Sequence, residues 1–496
     1  MTASTALTLA RAMIDGREKR AGDHLIAAQI DPAQVGAVLR LAESDGIKLQ
    51  GAALEAARSI KPHVHTVFHT APAAGLLDGE DIAPAILESV AAPWLDATAT
   101  PLDLACAGYW LADMFLRGVN DRRCARITDF LLGGVHSAPK VTRRVSVRRY
   151  PTGGISEKQA ILLPALLRAL SQEMDWCSPF LVARKLAHTG GTADKLSVLP
   201  GFATVDRERL MTWDLNCAPV YYLSAGPDLC PRDAMMYRLR GQTGTVADPG
   251  LMAASIMCKQ IAAPADLVIL DVLYGRTAFL NDRASAAAFG ATCKMIGSGH
   301  GVLLEPSLRR ADGLLGRSLG ASCEILEVVR LVRGEAVHPL ALAELHRAIN
   351  FVARLAAVEG RSPDRAERLA EAAIASGEAF DHLLKLWRDH GVDEAFLRQV
   401  AHDPSEALLG GTDRIELRAT CNGPLAFDAV ALADVVNTKL NRATPRGPTS
   451  IARGGLELLV DAGDRCTAGE PIAVLHGSGA RNAAAAVASV LGTTAG

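Results

Sequence analysis

Apolar residues recur at three and four positions in AQVGAVLRLAES and again in PLDLACAGYWLADMFLRGV, and period-two alternation is absent over roughly residues 1–130. That spacing predicts helices. The pattern then changes. VTRRVSVRRY is rich in β-branched residues, PTGGIS is a glycine turn, and EKQAILLPALLRAL returns to helical spacing. The expected order is strand, tight loop, helix. ADLVILDV and GHGVLLEP are continuous apolar runs of the kind carried by buried parallel strands, with helical segments between them. Residues 411–478 differ again: RIELRAT, GLELLV and PIAVLHG read as short strands, and ALADVVNTKL is the one convincing helix. HDPSEALLGGT, which follows helical residues 363–400, reads as a linker. These elements predict an α/β fold with a separate all-helical domain and a small C-terminal β-rich (α+β) domain.

Composition narrows the function classes. With 49% hydrophobic and 21% charged residues, disordered, collagenous and coiled-coil chains are excluded, and 496 residues predict two to four units. A net charge of -2 and an aromatic content of 4% leave neither a basic face nor stacking platforms for nucleic acid. The ten cysteines form no CxxC pair, so they read as reduced thiols of a cytoplasmic protein with no zinc site. Arg11 and Asp15 interrupt the first apolar stretch, which lacks the basic start of a signal peptide. No uncharged apolar run long enough to span a bilayer occurs outside the alanine-rich tail, the only low-complexity segment.

Three stretches carry candidate chemistry. In Arg149-Tyr150-Pro151-Thr152-Gly153-Gly154-Ile155-Ser156-Glu157-Lys158, two glycines between strand and helix let backbone N–H groups converge at a helix N-terminus. An anion could be held there, with Arg149 and Lys158 flanking it. A plain tight turn is the alternative. The second stretch, His188-Thr189-Gly190-Gly191-Thr192, repeats the design ahead of a further helix start. His188 has no carboxylate close in sequence and reads as a structural histidine rather than a general base. In the third, Asp248 can cap and Pro249 can open a helix over residues 249–262, placing Ser255 and Lys259 four apart on one face, with Arg240 before it. A lysine whose stem lies on apolar surface while its ammonium reaches water is the alternative there.

RRYPTGGISEK, VARKLAHTGGTADKLSVLPGF, CPRDAMMYRLRGQTGTV with ASIMCK, ADLVILDVLYGRTAF and LGRSLGASCEILEVVRLVRGE occur in this order. Together they resemble the signature blocks of the thymidine and pyrimidine-nucleoside phosphorylase family over roughly residues 100–475. The resemblance implies a helical base-binding domain of residues 1–130 plus about 232–262, an α/β anion-binding domain of 131–231 plus 263–400, and a C-terminal domain of 411–485. It also implies a homodimer that closes over a nucleoside and phosphate. Arg240, Ser255 and Lys259 fall on the positions that hold the pyrimidine, with Arg240 and Lys259 stabilising the departing base as its negative charge grows. Replacing either cation should then weaken base binding far more than folding. Arg149, Thr152, Gly153, Gly154, Lys158, Gly190, Gly191 and Thr192 fall on the phosphate loops, and Tyr150 stands where the family has a histidine near the substrate.

The phosphate set departs from the family. Pro151, Ala160 and Val182 stand where resemblance places serines, and Glu157 replaces an aspartate. Each lost hydroxyl removes about 1 kcal/mol of binding. The expectation is therefore a pentosyltransferase that needs no cofactor, cleaving a nucleoside N-glycosidic bond with phosphate or another anion, on an altered substrate. The alternatives are a non-catalytic nucleoside or nucleobase binder, a nucleoside hydrolase, and an enzyme acting on a different glycoside.

Overall fold

A computed structural model describes residues 31–45, 51–69, 76–77, 81–133, 135, 144–183, 191–263, 265–440 and 453–493. From the N-terminus, helices α1 (Pro32–Asp45), α2 (Gly51–His69), α3 (Pro101–Arg117) and α4 (Asp121–Leu131) precede strand β1 (Val145–Pro151). Next come α5 (Gln159–Ala169), β2 (Trp176–Val182), α6 (Thr192–Leu196), β3 (Val220–Ser224), α7 (Pro231–Thr243), α8 (Pro249–Ala262) and β4 (Leu267–Tyr274). They are followed by α9 (Arg283–Gly299), β5 (Leu303–Arg310), β6 (Ser318–Leu319) and α10 (Ala321–Val332). Helices α11 (Pro339–Val358), α12 (Pro363–Ala375), α13 (Glu378–Asp389), α14 (Glu394–His402) and α15 (Pro404–Leu409) then run on without a strand. The C-terminal part holds β7 (Arg414–Arg418), β8 (Gly423–Phe427), α16 (Ala429–Val435), β9 (Gly454–Leu458), β10 (Arg465–Cys466), β11 (Pro471–Gly477), α17 (Ala480–Ala488) and β12 (Leu491–Thr493).

Two compact units emerge, one of residues 1–138, 226–263 and 295–300, the other of 139–225, 264–294 and 301–496. In the first, α1 and α3 cross at glycines. A Cβ on Gly36 would lie 1.9 Å from the Ala105 carbonyl oxygen, and one on Gly108 would lie 1.9 Å from that of Ala33. No side chain fits this crossing, so both positions require glycine. α3 itself is fastened by a capping box between Thr100 and Asp103 and buries Tyr109, Trp110 and Met114.

The second unit contains a five-stranded parallel sheet in the order β3-β2-β1-β4-β5. The chain leaves β1 for β2 and β3 on one side and returns to β4 and β5 on the other, so the order reverses between β1 and β4. In open sheets, ligands bind at such a reversal, beyond the carboxyl ends of the strands. β2 is buried throughout, and β4 is buried up to its last residue, which explains their unbroken apolar runs. α5 and α10–α15 cover the sheet and share its core. The C-terminal strands form a sheet β6-β9-β11-β7 and a sheet β10-β8-β12, packed around α16 and α17.

One sequence expectation is corrected here. HDPSEALLGGT is not an open linker, because Asp403 caps α15 through the Glu406 N–H and Pro404 opens that helix. The alanine-rich end contributes α17, which buries Ala480, Ala483 and Val487.

His390 is fully buried in the second unit, where its Nδ1–H donates to the Ala203 carbonyl at 2.7 Å and its Nε2 accepts from the Tyr222 N–H at 3.0 Å. Protonation would set a donor against a donor. Burial depresses its pKa from 6.5 to about 4. Its contribution to stability is complete above the unfolded value and is lost as pH falls from 6.5 towards about 4. The total at stake is on the order of 3 kcal/mol. Urea unfolding of wild-type and His390→Gln protein across this window is expected to show a steeper acid loss in the wild type. Equal slopes would contradict the assignment.

Candidate active site

β1 ends at Pro151, and the chain turns through residues 152–158 before α5 begins at Gln159. Thr152 continues the pairing with β4: its N–H donates to the Asp271 carbonyl at 3.0 Å, and its hydroxyl accepts from the Leu273 N–H at 2.9 Å. Gly153 has φ 106°, a backbone angle that favours glycine. A Cβ on Gly154 would lie 2.6 Å from Leu273 Cδ2, so a side chain there would require Leu273 on β4 to shift. The N–H groups of Gly153, Gly154, Ile155 and Ser156 donate to no acceptor among the described residues. They are the part of this loop open to an anion.

The charged groups around the loop are engaged by the protein itself. Glu157 turns its carboxylate onto the head of α5, accepting from the Gln159 N–H at 2.8 Å and pairing with Arg149 Nη1 at 2.8 Å. A negative charge is favourable at that helix end, and here the chain supplies it. Arg149 also pairs with Asp271 and lies over the Phe351 ring, 5.2 Å from its centroid. Asp271 lies 3.8 Å from Arg309, which pairs with Glu344 at 2.5 Å. Burial alone would raise the Glu157 pKa, but Arg149, Lys195 and Arg309 outweigh it and hold the carboxyl below its usual range.

Lys158 belongs to a separate cluster. It pairs with Glu327 at 2.5 Å and donates to Ser156 Oγ at 3.0 Å and to the Leu315 carbonyl. Burial lowers its pKa and the carboxylates of Glu327 and Glu324 raise it further, with a net upward shift. Lys195, at the end of α6, donates to the Glu157 carbonyl at 2.6 Å and pairs with Glu324 at 2.7 Å. Arg149 and Lys158 thus do not converge on one point, and carboxylates balance each of them. Tyr150 is half-buried, and strand alternation sends it to the face of β1 opposite Arg149. Gly191 precedes α6, Thr192 opens it, and Thr192 is half-buried. His188 and Gly190 lie outside the described residues. Ala160 and Val182 are buried in the second unit, Val182 within the main core.

In the first unit, α8 spans Pro249–Ala262, with the Asp248 side chain accepting from the Leu251 N–H at 2.7 Å. One helical turn brings Lys259 onto Ser255: its Nζ lies 2.9 Å from Ser255 Oγ and 3.0 Å from the Ser255 carbonyl. The same ammonium pairs with Asp233 on α7 and lies 5.5 Å from the ring centroid of Tyr237. Arg240, one more turn along α7, is 1% exposed. Its guanidinium donates to the carbonyls of Thr245 at 3.4 Å, Val246 at 2.5 Å and Leu251 at 3.0 Å. Ser255, Lys259 and Asp233 therefore form one cluster, while Arg240 fastens the segment that joins α7 to α8.

Sequence reading missed Asp233 and Tyr237. Their spacing with Arg240, at i, i+4 and i+7, was the available signal for one face of a helix. Among the described residues, no group of three or more His, Cys, Asp or Glu side chains could hold a metal ion, and no helix is long and apolar enough to cross a membrane. All ten cysteines are free thiols.

No family model matches the chain. Human thymidine phosphorylase is 27% identical over 380 residues, 75% of this chain and 77% of that protein. The pyrimidine-nucleoside phosphorylase of Staphylococcus aureus is 28% identical over 370 residues, 73% of this chain and 82% of that protein. The chain is a divergent relative of the thymidine and pyrimidine-nucleoside phosphorylases. The solved structures it matches include anthranilate phosphoribosyltransferase from Thermus thermophilus, with TM-score 0.42 and 16% identity over 65% of this chain and 99% of that one. The yeast (Saccharomyces cerevisiae) enzyme of the same name, solved with PRPP and Mg, has TM-score 0.45 and 11% identity over 67% and 98%.

Proposed function

We propose that this relative of the phosphorylases is a pentosyltransferase that moves a pentose between a pyrimidine base and an anionic acceptor, with substrate or acceptor altered from thymidine or uridine and inorganic phosphate. The observation that carries this reading is the Ser255–Lys259–Asp233 cluster. The ammonium is buried and held in position by a hydroxyl, a carbonyl and a carboxylate. By exchanging one of these partners for a base carbonyl, the ammonium would stabilise the charge that gathers on the base as the glycosidic bond breaks. Ser255 would supply the polar partner for the ring edge. Arg240 would add positive potential from behind the α7–α8 segment. A cytoplasmic homodimer is the proposed setting.

On the acceptor side, the free N–H groups of Gly153, Gly154, Ile155 and Ser156 favour a retained anion contact. The altered acceptor is supported by Pro151, Ala160 and Val182 and by the engagement of Arg149 with Glu157 and Asp271. That engagement also keeps the non-catalytic binder in view as the second reading, since it leaves an anion few full charges to meet.

Calorimetric titration with uracil and thymine tests the base half. Lys259→Ala should weaken binding by about 1.5 to 3 kcal/mol, the value of a charged hydrogen bond, or roughly 10- to 150-fold. Unchanged affinity in a folded variant would refute the assignment. Arg240→Ala is a poorer probe than the sequence suggests, because it also removes three hydrogen bonds to backbone carbonyls and should cost stability.

A further inference from the structure

Two arginines outside the groups discussed above meet at one aspartate, Asp312, at the carboxyl ends of β4 and β5. Asp312 accepts from the Arg276 backbone N–H at 3.1 Å and from Arg310 Nε at 2.5 Å, and the Arg276 Nη2 donates to the Asp312 carbonyl at 3.4 Å. The backbone under this pair is fastened. Thr277 ties its loop to Ala311 at 2.9 Å and Gly313 at 3.3 Å through its hydroxyl, and the Gly275 N–H donates to the Leu280 carbonyl at 2.8 Å. A Cβ on Gly275 would lie 2.6 Å from Asp312 Oδ1, so the loop and the carboxylate approach as closely as glycine permits.

We propose that Arg276 and Arg310 form an anion subsite for a phosphate monoester carried on the pentose of the substrate. Arg310 on the Asp312 carboxylate and Arg276 on the Asp312 main-chain carbonyl place two guanidinium charges beside one carboxylate, a formal charge of +1 that a further anion would offset. Both side chains are exposed, and the Arg276 Nε and the terminal nitrogens of Arg310 are left to donate. A dianion with three acceptor oxygens matches such a forked donor set better than a carboxylate does. Strand alternation separates this pair from the buried network, since Arg309 turns inward to Glu344 while Arg310 turns to the other face. Position supports the assignment. β4 adjoins β1 and β5 adjoins β4, so the pair lies one to two strand spacings, about 5 to 10 Å, along the sheet from the glycine turn after β1. That span suits the two ends of one pentose phosphate, with C1 towards the turn and the ester towards the arginines.

This inference names the substrate class for the proposed transferase and rests on that reading, so its test is kept separate from base binding. Binding of ribose 5-phosphate and of ribose is measured by calorimetry on the full chain, for wild type and for the double variant Arg276→Ala, Arg310→Ala, with uracil titrated in parallel. The expected result is that wild-type protein prefers ribose 5-phosphate to ribose at least tenfold, and that the double variant loses this preference while its uracil affinity is unchanged. Equal affinity for the two sugars in the wild type, or a preference that survives in the double variant, would overturn the subsite whatever uracil does. Loss of uracil binding in the wild type would instead count against the transferase reading. Both arginines are exposed, so the double variant should fold, and circular dichroism checks this.

Discussion

Arg149→Met is expected to destabilise the α/β unit by about 3 to 5 kcal/mol, the cost of leaving a buried charge without its partner. Arg149 is 2% exposed and holds Glu157 and Asp271 together, 2.8 Å from the first. Methionine fills most of the volume and can keep contact with Phe351, so the loss is electrostatic rather than a cavity. Arg309, 3.8 Å from Asp271, offsets part of it. Glu157 keeps the Gln159 N–H and the nearby charges of Lys195 and Arg309, and loses only its direct ion pair. A loss of this size is a large fraction of the stability of an ordinary domain, about 5 to 15 kcal/mol. Urea unfolding followed by fluorescence reads this unit through the buried Trp176 and Trp387 once Trp94 and Trp110 of the first unit are replaced by phenylalanine. Arg149→Lys should fall between, since an ammonium cannot grip both carboxylates in the fork that a guanidinium offers. A shift below about 1 kcal/mol in Arg149→Met would mean that the network is solvated and that Arg149 is free to meet a ligand, which would also remove one support for the altered acceptor.

How much of this was legible in the sequence follows from the distance over which each feature is specified. α8 could be read with its bounds because cap, first-turn proline and helical spacing all lie within fifteen residues. The strand-turn-helix order around Gly153 and Gly154 was legible for the same reason. The meeting of Ser255 and Lys259 follows from one helical turn. The role of Arg149 was not legible, because its partner Asp271 is 122 residues away on β4 and becomes a neighbour only through the pairing of Arg149 with Ile269 and Pro151 with Asp271. A cation beside a glycine loop reads equally well as an anion ligand or as half of a buried pair, and only the sheet order decides. Lys158 repeats the case, since its carboxylate comes from α10. α15 shows an avoidable miss: Asp403 and Pro404 are a helix start written locally, outweighed in the reading by the glycines that follow.

The second large expected effect concerns turnover. If the acceptor contacts replaced by Pro151, Ala160 and Val182 are each worth about 1 kcal/mol, inorganic phosphate is held about a hundredfold more weakly than in a site that has them. Glu157 adds to this deficit, because its carboxylate already accepts from the Gln159 N–H and from Arg149, the groups that an entering phosphate would seek. Tyr150 does not replace the missing histidine as a proton donor or acceptor, since a phenol of pKa about 10 titrates far from neutral pH. Against these losses stand, among the described residues, the free N–H groups of the turn and Thr192.

We propose that the base-binding cluster of the first unit is kept while the loop for inorganic phosphate in the second is altered, and release of free base tests this most directly. Thymidine and uridine are incubated with the protein at millimolar phosphate and without phosphate, and thymine and uracil are quantified. Release is expected at least about a hundredfold below the ordinary enzyme rate of about 10 per second, alongside measurable uracil binding. Phosphate-dependent release at about 10 per second from either nucleoside would contradict it and return the protein to the standard phosphorylases.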